Sequence, residues 1–289
     1  MPVRIESLAA PELVLRNAAA LAEGPRWDPR TQRLLWVDID GRALHELDPA
    51  TGSDRAIGLP AKVGAAAPTA DPGRVLVALA DRLAIVDLET SELEPLVEFP
   101  HRRAGMRAND GAVDPDGRFW IGTMADDEAP DLASLYRYDP DGSLTTVLDP
   151  VSLSNGLGWA AGEARMYYID SPTKRVDVLD FDAATGSVAN RRPFAEIEEG
   201  VGVPDGLALD VEDGVWIALY GGGEVRRYGP GGALDAKLAI PAENVTACGF
   251  GGEDGRQLFV TTARSPQELG GSLFVADPGI AGPPARIFG

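Results

Sequence analysis

The chain has 289 residues, 44% hydrophobic and 25% charged, enough to bury a substantial core and ordinary for a soluble globular protein. Its formal net charge of -19 opposes a nucleic-acid partner, because binding a phosphate backbone needs Lys and Arg to displace condensed counterions. No run approaches the roughly 20 apolar residues that span a bilayer, residues 1–6 show no leader pattern, and the single cysteine, Cys248, cannot form an intrachain disulfide. A cytoplasmic protein with no nucleic-acid or membrane partner is expected.

The 34 Gly and 23 Pro are spread along the chain, as many short strands joined by tight turns require. Near the start only residues 11–22 read as helical, and Gly24-Pro25 would stop that helix. Six β-branched or aromatic runs follow, at 34–37, 75–79, 119–123, 166–169, 215–219 and 258–262. Each has an alternating partner run, at 43–47, 83–86, 134–138, 176–179, 224–228 and 272–275, closing at turns such as Asp139-Pro140-Asp141-Gly142. Successive units are spaced by roughly 40 to 49 residues, the length of a four-stranded propeller blade.

Six such units use up the chain and predict an all-β fold, a six-bladed β-propeller forming one domain over residues 1–289. Packed β-sandwiches share the short strands but give no reason for a register common to six units. The first unit lacks a preceding outer strand, so residues 12–16 are expected to complete the last blade and close the ring.

Glu23, Asn109, Asn155 and Asp205 share one register: each precedes a Gly by one or two residues, and they lie five residues before Asp28, Asp114, Ala160 and Asp210. In a propeller the innermost strand of each blade lines a central channel, so equivalent positions at its start converge on the axis. The other two units supply Ala66 and a position near Cys248, which would leave part of the rim open. Asp or Asn before Gly is also common turn chemistry. Turn chemistry alone does not account for four segments in one register.

Two carboxylates held together without a cation repel, raising one pKa. A divalent cation removes that conflict, and Glu, Asp and Asn oxygens suit Ca²⁺, Mg²⁺ or Mn²⁺ and accept Zn²⁺ or Fe²⁺. A metal site in the central channel, with one divalent ion, is therefore expected. No Cys or His cluster points to structural zinc. His45 reads as a surface or packing residue, and His101 lies in a basic turn before Arg102 and Arg103. No Ser stands in a Gly-x-Ser-x-Gly elbow, and the glycines at 221–223 and 249–252 lack a phosphate-loop setting.

Several segments carry a family resemblance: Leu21-Ala22-Glu23-Gly24-Pro25, Arg107-Ala108-Asn109-Asp110-Gly111, residues 119–124, Ser154-Asn155-Gly156-Leu157, Val203-Pro204-Asp205-Gly206-Leu207 and Asn244-Val245-Thr246. In order and spacing, over about residues 21–274, they resemble the gluconolactonase family that includes regucalcin. The resemblance implies one divalent metal bound by Glu23, Asn155 and Asp205, with Arg107 and Asn109 on the substrate. Where some members place a Glu on the substrate this chain has Asp127, one methylene shorter.

The implied activity is metal-dependent hydrolysis of a sugar lactone such as gluconolactone. The metal would polarise the carbonyl, and Asp205 would be the general base for the attacking water. A non-catalytic calcium-binding or ligand-sensing propeller, or a hydrolase of another ester, is the alternative.

Overall fold

Small, buried strands around one axis organise this chain. The computed structural model describes residues 5–289. Their strands assort into six sheets, five of four strands and one of five. The innermost strands are Ala22–Asp28, Val63–Pro68, Met106–Val113, Ser154–Trp159, Val203–Leu209 and Val245–Gly251. Each touches the inner strand of the next blade, and the sixth touches the first, so the ring is closed. The fold is the expected all-β, six-bladed propeller.

The apolar runs read from the sequence are the second and third strands of the blades, as in Arg33–Asp38 and Ala43–Asp48. The inner strands are the motif segments themselves. Their residues are small because adjacent blades crowd at the axis: a Cβ on Gly156 would lie 2.5 Å from the Leu207 backbone nitrogen, and one on Gly206 would lie 2.6 Å from the Ala247 Cβ. Fourth strands face water, as the exposed positions along Leu93–Glu98 show.

Glu12–Leu15 pairs antiparallel with Leu273–Ala276 as the outermost strand of the sixth blade. Tertiary pairing overrides the helical reading of that region. Glu6–Ser7, which the sequence did not indicate, adds a fifth strand to the fifth blade, parallel to Leu234–Ala239. Residues 277–289 run as a strap across the end toward which the inner strands point. The amide of Gly282 bonds the Gly255 carbonyl at 2.9 Å, and that of Phe288 bonds the Pro68 carbonyl at 2.8 Å.

The aspartates that follow the polar register anchor two of the blades. In the fifth, one Asp210 oxygen accepts the amides of Glu212 and Gly214, and the other accepts the Trp216 indole at 2.8 Å and Arg227 Nε at 2.7 Å. Asp114 does the same for Asp116, Arg118 and Trp120. Both carboxylates are fully buried. Removing one leaves a desolvated guanidinium and an indole N–H without an acceptor, so Asp210→Ala should cost about 3 kcal/mol. Urea unfolding checks this through a lowered midpoint at unchanged slope.

Candidate functional site

All six inner strands break register near their start. The breaks fall between Glu23 and Arg26, Val63 and Ala65, Ala108 and Gly111, Ser154 and Leu157, Pro204 and Leu207, and Val245 and Ala247. A bulge inserts one extra residue and re-aims the side chains beside it. Asn109, Asp110, Asn155 and Asp205 thus sit within bulges, and Glu23 borders one. In the other two blades the bulges fall at Gly64 and Thr246 rather than at Ala66 and Cys248. Cys248 is fully buried against the Trp216 carbonyl, and burial pushes its thiol up to about 12.

A chain of hydrogen bonds joins three blades. Arg107 Nη1 donates to Asn109 Oδ1 at 2.7 Å, Asn109 Nδ2 to Asn155 Oδ1 at 2.7 Å, and Asn155 Nδ2 to Ser171 Oγ at 2.7 Å. Ser171 then donates to the Pro204 carbonyl at 2.7 Å. Because Pro204 offers only an acceptor and Arg107 only donors, both carboxamides have one permitted orientation. All four side chains are buried. Ser171, on the short turn Ser171–Thr173 after a second strand, carried no signal in the sequence.

Beside this chain lie three buried carboxylates. Burial, then the charge of Asp110, pushes Glu23 up to about 8, opposed by the Gly24 amide. Asp205 is raised well above the ordinary range by burial and by the charges of Glu23 and Asp110, against Arg107. Asp110 is raised by burial, although Arg26 lies 3.4 Å away and the Gly111 amide donates to it. Asp110 lies outside the four-residue register, and its only signal in the sequence is that two polar residues, not one, precede Gly111.

Burial lowers the pKa of Arg107, and the charges of Asp126, Asp40, Glu23 and Asp205 oppose that effect. Asp126 is its rim partner, at 3.6 Å from Nε, and also accepts Lys62 at 2.9 Å. The structure does not bring Asp127 into the cluster. That side chain is 61% exposed, paired with Arg103, which holds its carboxyl below the usual range. His45 is a packing residue, stacked on Trp36 and bonded to Asp54 at 2.7 Å.

The donor set fits a divalent cation. Among the described residues, nothing donates a hydrogen bond to the Asp205 carboxylate, and Glu23 accepts only its neighbour's amide. Three raised carboxyls around one channel lack the positive charge that would ionise them. No three His, Cys, Asp or Glu side chains among the described residues form a cluster sufficient for a metal, so a site here needs a carboxamide oxygen in its shell. Asn155 offers one, turned toward Asn109.

Fold and site together define a six-bladed propeller with a cluster of buried acids and amides where its inner strands begin. The family model described as SMP-30/Gluconolactonase/LRE-like region matches residues 21–264, spanning all six inner strands, and the chain belongs to that family. Bacillus subtilis YvrE, whose name places it provisionally among sugar lactone lactonases, is 36% identical over 89% of this chain and 91% of its own. Regucalcin of Danio rerio is 36% identical over 87% and 86% of the two chains. The crystal structure of an Agrobacterium tumefaciens protein described as a calcium-binding protein, regucalcin, superposes with a TM-score of 0.93 at 28% identity over 99% of each chain.

Between the ordinary Glu pKa of 4.5 and about 8, the folded protein holds a proton on Glu23 that the unfolded chain has released. Stability of metal-free protein should therefore fall as pH rises through that window, with Asp205 and Asp110 acting in the same direction. Melting temperatures measured from pH 5 to 8 should decline without divalent metal and decline much less with it.

Proposed function

We propose that this chain hydrolyses a sugar lactone to its aldonic acid with the help of one divalent metal ion. The observation that carries this is the buried trio of Glu23, Asp205 and Asp110 beside the Arg107–Asn109–Asn155 chain. Family membership and the lactonase name carried by YvrE support it.

Glu23, Asn155 and Asp205 would hold the metal. Bound there, it supplies Lewis-acid polarisation of a carbonyl and a more acidic water, its pKa lowered toward ~7. Arg107 and Asn109 bind and orient the substrate's oxygens. Arg107 brings a cation and spare N–H groups to a buried cluster where each hydrogen bond to an oxygen counts for more than in water. Asp205 is the general base: burial and two neighbouring carboxylates raise its affinity for a proton, and no hydrogen bond competes for its lone pairs. Ser171 positions Asn155 by fixing its amide. Asp126 and Lys62 shape the rim beside Arg107, and Asp127, further out, is left for the exocyclic hydroxyls of a larger substrate.

Purified protein, stripped with chelator and reloaded with Ca²⁺, Mg²⁺, Mn²⁺, Zn²⁺ or Fe²⁺, should open aldonolactones in a pH-indicator assay only when loaded. Asp205→Asn and Glu23→Gln should each lower kcat/KM at least a hundredfold, about 2.7 kcal/mol. Tight Ca²⁺ binding with no turnover on any lactone would instead favour a calcium-binding propeller, the description carried by the Agrobacterium tumefaciens structure. Ser171→Ala should keep the fold and weaken divalent binding by about 10- to 100-fold, the usual cost of losing a partner that orients a ligand. Calorimetric titration of the metal reads this independently of activity.

A further inference from the structure

We propose that the far end of the channel, closed by the C-terminal strap, is a second binding site, for a small oxyanion held by Arg286. The inner strands' last residues wall a cavity of about 140 Å³ there, and residues 283–286 form its floor. One water needs roughly 10–15 Å³ of such space, so a phosphate or a small carboxylate fits. In a chain of net charge -19, the lining holds two arginines, Arg26 and Arg286, and no Asp or Glu among the described residues.

The wall is short of acceptors. Three of the five tryptophans give their indole N–H to a carboxylate: Trp36 to Asp54, Trp120 to Asp114 and Trp216 to Asp210. The other two, Trp27 and Trp159, line this cavity, and each buries an N–H with no acceptor. Arg26 spends its terminal nitrogens on the Pro25 and Gly111 carbonyls and on Asp110, while its Nε is buried without a partner. Arg286 makes no hydrogen bond or ion pair among the described residues and lies over the Trp159 ring, 5.7 Å from its centroid. Burial lowers its pKa against the more distant charges of Glu163 and Asp114, and the half-buried guanidinium has no carboxylate in direct contact. Water can satisfy stray donors but cannot neutralise Arg286; an oxyanion does both.

The strap is built to hold such a ligand in place. Beyond Arg286, Phe288 stacks on Tyr138 at 5.6 Å, and the Gly289 amide bonds the Gly117 carbonyl at 3.1 Å. Arg286, Trp27 and Trp159 have no part in the lactone site; only Arg26 links the two, through Asp110.

The test is calorimetric titration of chelator-treated, full-length protein with inorganic phosphate and, separately, with acetate, at pH 7 and constant ionic strength. One saturable site is expected, and the tighter anion identifies which oxyanion the cavity prefers. Arg286→Gln should weaken it at least about tenfold, the loss of one charge-assisted hydrogen bond, while Arg107→Gln at the other channel end leaves it unchanged. Hydrogen exchange on the unmutated protein gives a second reading: the anion should slow exchange in residues 283–289 and not in 107–111. Absence of saturable binding, binding lost in Arg107→Gln but kept in Arg286→Gln, or an unprotected strap would overturn the proposal.

Discussion

Uncompensated negative charge at the channel axis is the constraint on which the site depends. Six strands converge so closely that Gly156 and Gly206 leave no room for a side chain, and the polar residues beside them cannot retreat into solvent. Glu23, Asp110 and Asp205 are therefore buried within reach of one another's fields. Carboxylates in that position take up protons or acquire a cation. The protein supplies only part of the compensation. Arg26 pairs with Asp110, and Arg107 is engaged by Asn109 and drawn toward the rim by Asp126.

The hydrogen-bond chain from Arg107 to Pro204 gives that unfinished charge balance a direction. Every amide in it is locked, so Asn155 presents its carbonyl oxygen from a fixed place between the third and fifth blades. A fixed neutral oxygen beside two under-compensated carboxylates suits a hard dication better than a proton, because several oxygens share a metal's charge whereas a proton serves one. The arrangement rests on the bulges, which set these side chains at the axis while the rest of each strand keeps its pairing.

Much of this was legible in the sequence, for identifiable reasons. The second and third strands of each blade are rich in Val, Ile, Leu and aromatics and reveal the repeat. The innermost strands do not look like strands: Ser154-Asn155-Gly156-Leu157-Gly158-Trp159 reads as a turn, because crowding at the axis selects small residues over β formers. Their shared register exposed them all the same. Glu23, Asn109, Asn155 and Asp205 do converge, and Arg107 joins them. Ser171 was illegible because it reaches the site from a connecting turn with no repeat counterpart, and of the acidic pair after Met124 it is Asp126, not Asp127, that lies 3.6 Å from Arg107. The strap over residues 277–289 and its cavity were invisible, since an irregular segment carries no periodicity to read.

Proton release on metal binding tests the charge account most directly. Titrating a divalent cation into metal-free protein at pH 7, in buffers of different ionisation enthalpy, counts the protons displaced. With Glu23 raised to about 8 and Asp205 also raised, on the order of one proton or more per metal should leave on binding, and fewer should leave as pH climbs past 8. Tight binding that releases no protons at pH 7 would mean that these carboxylates are already ionised without the metal, contradicting the account.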